Sequence, residues 1–149
     1  MDTQKLIVVG VDDSADAVRA LEWAVAEARV HHDRVLLVHA WQYPAVGISD
    51  YAGDPLPVFG YHELEKVAAD VLTRAVEVIN GLDATVAVDT RLVQGHPGEV
   101  LVEASDGARL LIVGSRGLGG FKGMLMGSIS NTVAHHARCP VVIVPPADR

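Results

Sequence analysis

The chain has 149 residues, of which 50% are hydrophobic and 21% charged, a composition typical of one globular domain rather than a disordered chain. The net charge of −7 argues against general nucleic-acid binding, because neutralising phosphates needs a surplus of Lys and Arg. The apolar runs are strand-sized, the N-terminus carries no signal-peptide pattern, and the one cysteine, Cys139, excludes an internal disulfide. A cytoplasmic protein with no membrane association is therefore expected.

Strands and helices are predicted to alternate along the chain. The predicted strands are Leu6–Gly10, Arg34–Trp41, 85–93, 109–114 and Val141–Val144. Helices are predicted after the capping residues 12–14, over 61–80 with Gly81 as C-cap, from Pro97 at a first helical position, and over 128–138. Apolar residues at helical spacing are expected to face the core, namely Val18, Leu21, Val25, Ala28, Leu64, Val67, Val71, Ala75, Val78, Val100, Leu101 and Ala104. This alternation predicts parallel βαβ units with right-handed crossovers, and hence an α/β, doubly wound fold in a single domain spanning 1–149.

Residues 42–60 interrupt this pattern. They contain three prolines and three glycines, too many helix and strand breakers for regular structure. Because the segment leaves the strand that ends near Ala40, it is interpreted as a variable loop or flap rather than a domain linker.

The segment 114–128 contains six glycines in fifteen residues, directly after a predicted strand and before a predicted helix. Backbone amides that must approach an anion closely are the usual reason for such density. Residues 109–149 carry five basic and one acidic residue, whereas residues 1–108 carry seven basic and 18 acidic residues. The sequence therefore predicts a phosphate site here, with Arg116 and Lys122 as additional donors; a flexible surface hairpin without a ligand is the alternative.

The spacing of the glycines identifies the kind of site. No Walker-type G-x-x-x-x-G-K-[ST], no G-x-G-x-x-G after the first strand and no G-x-S-x-G nucleophile elbow occurs. The spacing that occurs is G-x2-G-x9-G-[ST], formed by Gly114, Gly117, Gly127 and Ser128. With this motif, V-G-V-D-D-S at 9–14, L-V-H-A at 37–40, G-H-P at 95–97 and C-P-V-V-I-V at 139–144, nearly the whole chain resembles the universal stress protein family, specifically its ATP-binding branch.

The resemblance implies a five-stranded parallel sheet of order 3-2-1-4-5 with helices on both faces. It implies that Asp12 lies near the ribose and phosphates or holds Mg2+, and that Val11 and Ala40 border the adenine. The full set of residues implied at the nucleotide is Gly10, Val11, Asp12, Ala40, Val113, Gly114, Arg116, Gly117, Gly127, Ser128, Ile129 and Ser130. Asp13 departs from the family, in which many members have a small residue; a second carboxylate there either helps to hold Mg2+ or repels phosphate.

The resemblance implies an ATP-binding universal stress protein that acts as a nucleotide-dependent stress-response or signalling module, with slow or no hydrolysis. No general base, Walker-type lysine or second catalytic group is identifiable in the sequence. The alternatives are a slow ATP hydrolase or phosphotransferase, a cAMP-binding protein, and a ligand-free dimeric interaction module. Because the implied strand order makes the last strand an edge, a homodimer is expected through Val141, Val142, Ile143 and Val144.

Other reactive side chains are interpreted as structural. The adjacent pairs His31–His32 and His135–His136 point about 100° apart on a helix, which does not suit two ligands of one metal ion. His39 is expected to be a hydrogen-bonded group in the core or at the edge of the pocket. Cys139 is expected to be an apolar filler, since nothing nearby marks an activated thiolate.

Overall fold

The computed structural model describes residues 4–43, 60–115 and 126–147. Within these ranges the strands are β1 (Leu6–Gly10), β2 (Arg34–Trp41), β3 (Val88–Gln94), β4 (Leu110–Gly114) and β5 (Val141–Val144). The helices are α1 (Ala15–His31), α2 (Tyr61–Leu82), α3 (Pro97–Ala104) and α4 (Ser128–His136). All strand pairs are parallel and the sheet order is β3-β2-β1-β4-β5. The predicted α/β class and strand order are thereby confirmed.

Helices cover both faces of the sheet. On one face, Leu21 of α1 and Ile79 of α2 pack against alternate side chains of the strands. On the other face, Leu101 of α3 and Val133 of α4 pack against the intervening strand residues. The central strands are therefore buried on both sides, which explains why they read as continuous apolar runs instead of alternating ones.

The helix ends mostly follow the predicted signals. Ser14 is the N-cap of α1, where its Oγ accepts the Ala17 N–H at 3.3 Å, and Pro97 occupies the first turn of α3. Gly81 is a correction: α2 continues through it to Leu82, so Gly81 is not the C-cap. Gly81 does not have the positive φ of a C-cap glycine, so it continues the last turn of the helix.

Two further boundaries differ from the prediction. The carboxylate of Asp83 accepts hydrogen bonds from both the N–H and the hydroxyl of Thr85, and this turn delays the start of β3 from 85 to Val88. α4 ends at His136 rather than 138, because the Arg138 N–H donates to the Ser105 Oγ at 2.8 Å and the chain leaves the helix axis. A local turn therefore sets the start of β3, and a tertiary hydrogen bond sets the end of α4.

The buried faces of α1 and α2 also correct the prediction. Val18 is 40% exposed and Val67 is 61% exposed. The buried residues of the two helices are Ala17, Ala20, Leu21, Ala24, Val25, Ala28, Ala68, Val71, Leu72, Ala75 and Ile79. Alanines form much of both buried faces, since a small side chain lets the helix approach the sheet. A prediction based on the largest apolar residues therefore places the buried face of each helix at the wrong angle. No helix in the described ranges is long and apolar enough to cross a membrane.

Candidate functional site

The candidate site lies at the carboxyl edge of the sheet between β1 and β4. The chain runs outward from β1 to β2 and β3 on one side, and through β4 to β5 on the other. The loops that leave β1 and β4 therefore diverge to opposite faces and leave a crevice between them. Such a switch point is where open α/β sheets bind ligands.

Asp12 is held in place by the start of α1. Its Oδ1 accepts the backbone N–H of Ser14 at 2.9 Å and also the Ser14 hydroxyl. Ser14 in turn caps α1, so the carboxylate is fixed to the positive end of a helix. Among the described residues no contact engages Oδ2 of Asp12, which leaves that oxygen for a hydroxyl group or a cation.

His39 secures the residue before Asp12. Its Nδ1 lies 2.8 Å from the carbonyl oxygen of Val11, and because a carbonyl only accepts, Nδ1 carries the proton. The N–H of Val11 donates to the Val38 oxygen at 2.9 Å. The β1–α1 loop is thus attached to β2 through both the N–H and the carbonyl group of Val11, and the expectation of a hydrogen-bonded His39 is confirmed.

Asp13 points to a partner that sequence reasoning missed. Its Oδ1 lies 3.1 Å from Nη2 and 3.2 Å from Nε of Arg74, on α2. Both side chains are half exposed. α2 lies on the face opposite α4, so this pairing holds the extra carboxylate on the α2 side and balances its charge. No local signal links two residues 61 positions apart.

The start of α4 is bound to the end of β4. The N–H of Gly127, the N-cap of α4, donates to the Ser115 carbonyl at 2.6 Å, and the Ser130 Oγ donates to the same oxygen at 2.9 Å. Ser115 itself donates its N–H to Val144 at the end of β5. The Ser130 side chain is buried and engaged with the backbone, so any phosphate contact there would come from its N–H. Ser128 is exposed, and Ile129 is partly buried.

The first turn of α4 is suited to an anion. Gly127 has no side chain to cap the helix, and the first turn contains no acidic residue. The N–H groups of a first helical turn have no intrahelical partner and sit at the positive end of the helix dipole. The Ser115 Oγ beneath this turn is buried and has no hydrogen-bond partner among the described residues. Arg116, Gly117 and Lys122 lie outside the described residues.

Small and apolar residues lie where β1, β2 and β4 end, beside the candidate site. Val11 and Val113 are buried, whereas Gly10, Ala40 and Gly114 are partly exposed at the strand ends. A Cβ on Gly10 would lie 2.7 Å from Leu101 Cδ1 and 3.2 Å from Val113 Cγ1, so this glycine has a packing reason of its own. The apolar wall is of the kind that a flat aromatic ring fills.

An aromatic cluster closes the edge beyond β2. The ring centroids of Trp41 and Tyr61 lie 5.0 Å apart and those of Tyr43 and Tyr61 5.6 Å apart, while the Tyr61 hydroxyl donates to Gln94 Oε1 at 3.0 Å. Tyr43 and Tyr61 lie on either side of residues 44–59. These residues make up most of the predicted flap at 42–60 and lie outside the described ranges. The two ends of that segment are therefore held together by contact between rings.

The remaining reactive groups lie away from the crevice. Burial raises the pKa of the Cys139 thiol, which packs against the α3–α4 side of the sheet, so the thiol stays protonated at neutral pH. Within 4–43, 60–115 and 126–147, no three His, Cys, Asp or Glu side chains are grouped as a metal centre.

Comparison with known proteins identifies the family. The universal stress protein family matches residues 4–145. The chain belongs to the universal stress protein family. A universal stress protein of Thermus aquaticus is 36% identical over 145 residues, which cover 94% of this chain and 98% of that protein. Universal stress protein Rv2623 of Mycobacterium tuberculosis is 34% identical over 94% of this chain but only 45% of its own length, so the chain spans about half of such mycobacterial relatives.

Solved structures of this family share the fold. A universal stress protein crystallised in complex with cAMP has a TM-score of 0.66 and 28% identity, covering 94% of this chain and 95% of that one. The universal stress protein from Archaeoglobus fulgidus in complex with dAMP has a TM-score of 0.68, covering 97% of this chain and 99% of that one. Because its sequence identity to this chain is only 23%, the similarity to the Archaeoglobus fulgidus structure supports the fold and nothing further.

Proposed function

We propose that this universal stress protein binds ATP across the carboxyl edge of its sheet and acts as a nucleotide-dependent signalling module in the cytoplasm. The observation that carries the proposal is the uncapped start of α4, which Gly127 and Ser130 fasten to the end of β4 beside the loop of Asp12. Backbone N–H groups, a helix dipole and an ordered carboxylate thus meet at one switch point. The glycine spacing of the ATP-binding branch supports the same ligand.

Each proposed contact follows from the chemistry of its group. Oδ2 of Asp12, for which no contact is found among the described residues, accepts a ribose hydroxyl or holds Mg2+, whose preferred ligands are carboxylate and phosphate oxygens. Val11, Ala40 and Val113 border the adenine. The N–H groups of residues 128–130, together with Arg116 and the glycines of the loop, bind the phosphates.

Slow turnover follows from what surrounds the proposed phosphates. His39 Nδ1 already donates to a carbonyl, and Asp12 Oδ1 is occupied by Ser14. Asp13 is paired with Arg74 on the α2 side. No described side chain is thus assigned to orient a water molecule for attack. We therefore propose binding without rapid hydrolysis.

A second candidate ligand is cAMP. The solved relative at 28% identity was crystallised with it, and adenine recognition does not require three phosphates. The first turn of α4 accepts one phosphate group as readily as several. The measured affinities for ATP and for cAMP therefore decide which of the two is the ligand. A slow hydrolase and a ligand-free module are the other outcomes that the experiments separate.

The binding experiment compares two helix N-caps. Gly127→Val is expected to abolish measurable ATP binding, because a side chain there blocks approach to the α4 amides, and each charge-assisted bond lost weakens affinity roughly tenfold to a hundredfold. Gly60→Val is the matched control: Gly60 caps α2, and a Cβ there meets no atom of the described residues within 4 Å. Isothermal titration calorimetry with ATP and with cAMP measures both variants. Equal ATP affinity in wild type and Gly127→Val refutes the site.

The turnover experiment starts from freshly purified protein. Nucleotide released by denaturation is identified by chromatography and mass spectrometry, and added ATP is followed in a single-turnover assay. Intact ATP that survives for many minutes, against the roughly 1–10³ s⁻¹ typical of enzymes, supports a binding module. Rapid conversion to ADP that is lost in Asp12→Ala with affinity retained supports the hydrolase, and a protein that binds neither ATP nor cAMP supports the ligand-free module.

We also propose that the protein is a homodimer in which β5 pairs with β5 of a second copy. β5 is an edge strand, and its four residues are valine and isoleucine. An uncharged edge of this kind is prone to pair with another strand.

A further inference from the structure

The outer side of α1 carries a groove beside the open edge of β5. The groove has a volume of about 270 Å³ and is lined by Arg19, Glu22, Trp23, Ala26, Glu27 and Val144. Trp23 is 42% exposed and lies off the buried face of its helix. The proposed nucleotide site makes no use of these residues.

The groove is continuous with the edge of the sheet. Val144 of β5 packs into the core on the α1 side and also lines the groove, while the Arg19 Nε donates to the Pro145 carbonyl just beyond β5. α1 packs against β1, β4 and β5. A sixth strand paired with β5 would therefore run along the groove.

The two edges of the sheet differ in how they are protected. The edge strand β3 carries exposed Asp89 and Arg91, and Asp89 forms an ion pair with Arg34. Charges of this kind discourage strand pairing. β5 is Val-Val-Ile-Val and has no charged residue. Self-association is thus directed to the edge that adjoins the groove.

We propose that the groove receives the same α1 face of a second copy, so that Trp23 of the two copies forms the centre of a helix–helix contact above the paired β5 strands. The inference rests on the proposed β5 dimer and extends it. Antiparallel pairing of two β5 strands has its two-fold axis perpendicular to the sheet, which keeps both α1 helices on one face and runs them antiparallel.

The spacing across such a dimer calls for a large side chain. The two β4 strands would lie three strand spacings apart, about 14 Å, and because each α1 packs against β1 as well as β4, the two helices would be at least that far apart. Closely packed helices are separated by 8–10 Å, so a gap of at least about 4–6 Å remains to be filled. Trp23 supplies the bulk that an alanine or valine lacks.

The charges on this face of α1 are complementary to those on the same face of an antiparallel second copy. Arg19, Trp23 and Glu27 follow one another at four-residue steps on one stripe of α1, with Trp23 in the middle. An antiparallel copy centred on Trp23 places each Arg19 opposite Glu27 of the second copy. The stripe therefore fits a second copy of this chain better than it fits an unrelated acidic or basic partner.

A charge swap tests this arrangement. The Arg19→Glu homodimer contains two acidic–acidic pairs in place of the two Arg19–Glu27 pairs, and the Glu27→Lys homodimer contains two basic–basic pairs, so each variant is expected to weaken dimerisation about tenfold. An equimolar mixture restores both pairs and is expected to form a heterodimer within about threefold of the wild-type dissociation constant. Native mass spectrometry and sedimentation measure the species, and circular dichroism checks folding, since Glu27 also contacts Arg109.

A second set of variants does not depend on Glu27. Trp23→Ala is expected to raise the dimer dissociation constant about thirtyfold or more, as a central tryptophan does in interfaces. Val30→Ala, on the same helix at a 72% exposed position outside the groove, is the matched control and is expected to leave it unchanged. If Ile143→Lys gives monomer while Trp23→Ala and the charge swap have no effect, the β5 dimer stands and this inference is refuted. A wild type that remains monomeric overturns both, and nucleotide affinity is measured separately from either.

Discussion

Both the core packing and the proposed nucleotide site require a residue without a side chain at Gly10. It ends β1 at the crevice, and a Cβ there would lie 2.7 Å from Leu101, which is itself buried. Gly10→Ala is expected to lower the free energy of unfolding by about 1–3 kcal/mol, the usual effect of overpacking a core. Urea denaturation measures it.

Gly81→Ala is the control for this prediction and has the opposite expected sign. Gly81 lies in the last turn of α2 with nothing within 4 Å of an added Cβ, so alanine is expected to stabilise the protein by about 0.5–1 kcal/mol. If both substitutions shift the unfolding midpoint in the same direction, the packing explanation for Gly10 is wrong.

At this scale the sequence predicts residues that act locally and misses those that act through space. The glycine spacing and the Ser14 cap follow from neighbours along the chain, whereas the hydrogen-bond partner of His39, the Val11 carbonyl, lies 28 residues away. The pairing of Asp13 with Arg74, and the contact of Ser115 with the start of α4, join segments whose approach depends on the finished fold. Sequence alone therefore left the role of Asp13 open between metal ligand and phosphate repulsion.

The connection from α2 to β3 shows how one side chain sets the ends of two elements. Asp83 is the C-cap of α2, accepts two hydrogen bonds from Thr85, and lies 3.2 Å from Arg29 of α1. These bonds, chiefly that from the Thr85 hydroxyl, lower the pKa of Asp83 below its ordinary value near 3.8. The predicted start of β3 at 85 is three residues too early, because this turn precedes the strand, which begins at Val88.

Asp83 predicts a particular pH dependence. Because its pKa is lower in the folded state, its contribution to stability is present above about pH 4 and is lost as the pH falls through the folded pKa. Asp83→Asn is therefore expected to destabilise the protein at pH 7 and to have less effect near pH 2.5. Chemical denaturation of both proteins at the two pH values tests this; an equal difference at both would contradict it. Asp70→Asn, an exposed carboxylate on α2, is the control.

At the scale of the whole molecule, the alternation of elements predicts a parallel, doubly wound sheet with right-handed crossovers, and the family resemblance implies its strand order. Which edge associates depends on exposure as well as order. Both β3 and β5 are edges, yet β3 has a mostly exposed, charged pattern whereas β5 is apolar and half buried. The apolar sequence of β5 predicts that this strand pairs with β5 of a second copy. The charged edge strand β3 is not expected to pair, so a substitution in β3 serves as the control.

Ile143→Lys is expected to abolish the dimer, giving monomer or aggregate, because a lysine on an edge strand blocks pairing with another strand. Thr90→Lys makes the same change on the exposed edge strand β3, where charges already prevent pairing, and is expected to leave the assembly unchanged. Light scattering over a dilution series gives the mass of each, and circular dichroism establishes that Ile143→Lys keeps its secondary structure, since Ile143 also packs against the α3–α4 side of the sheet. A folded Ile143→Lys protein that stays dimeric would move the interface away from β5. A dimer lost equally in Thr90→Lys would point to general charge effects rather than to one edge.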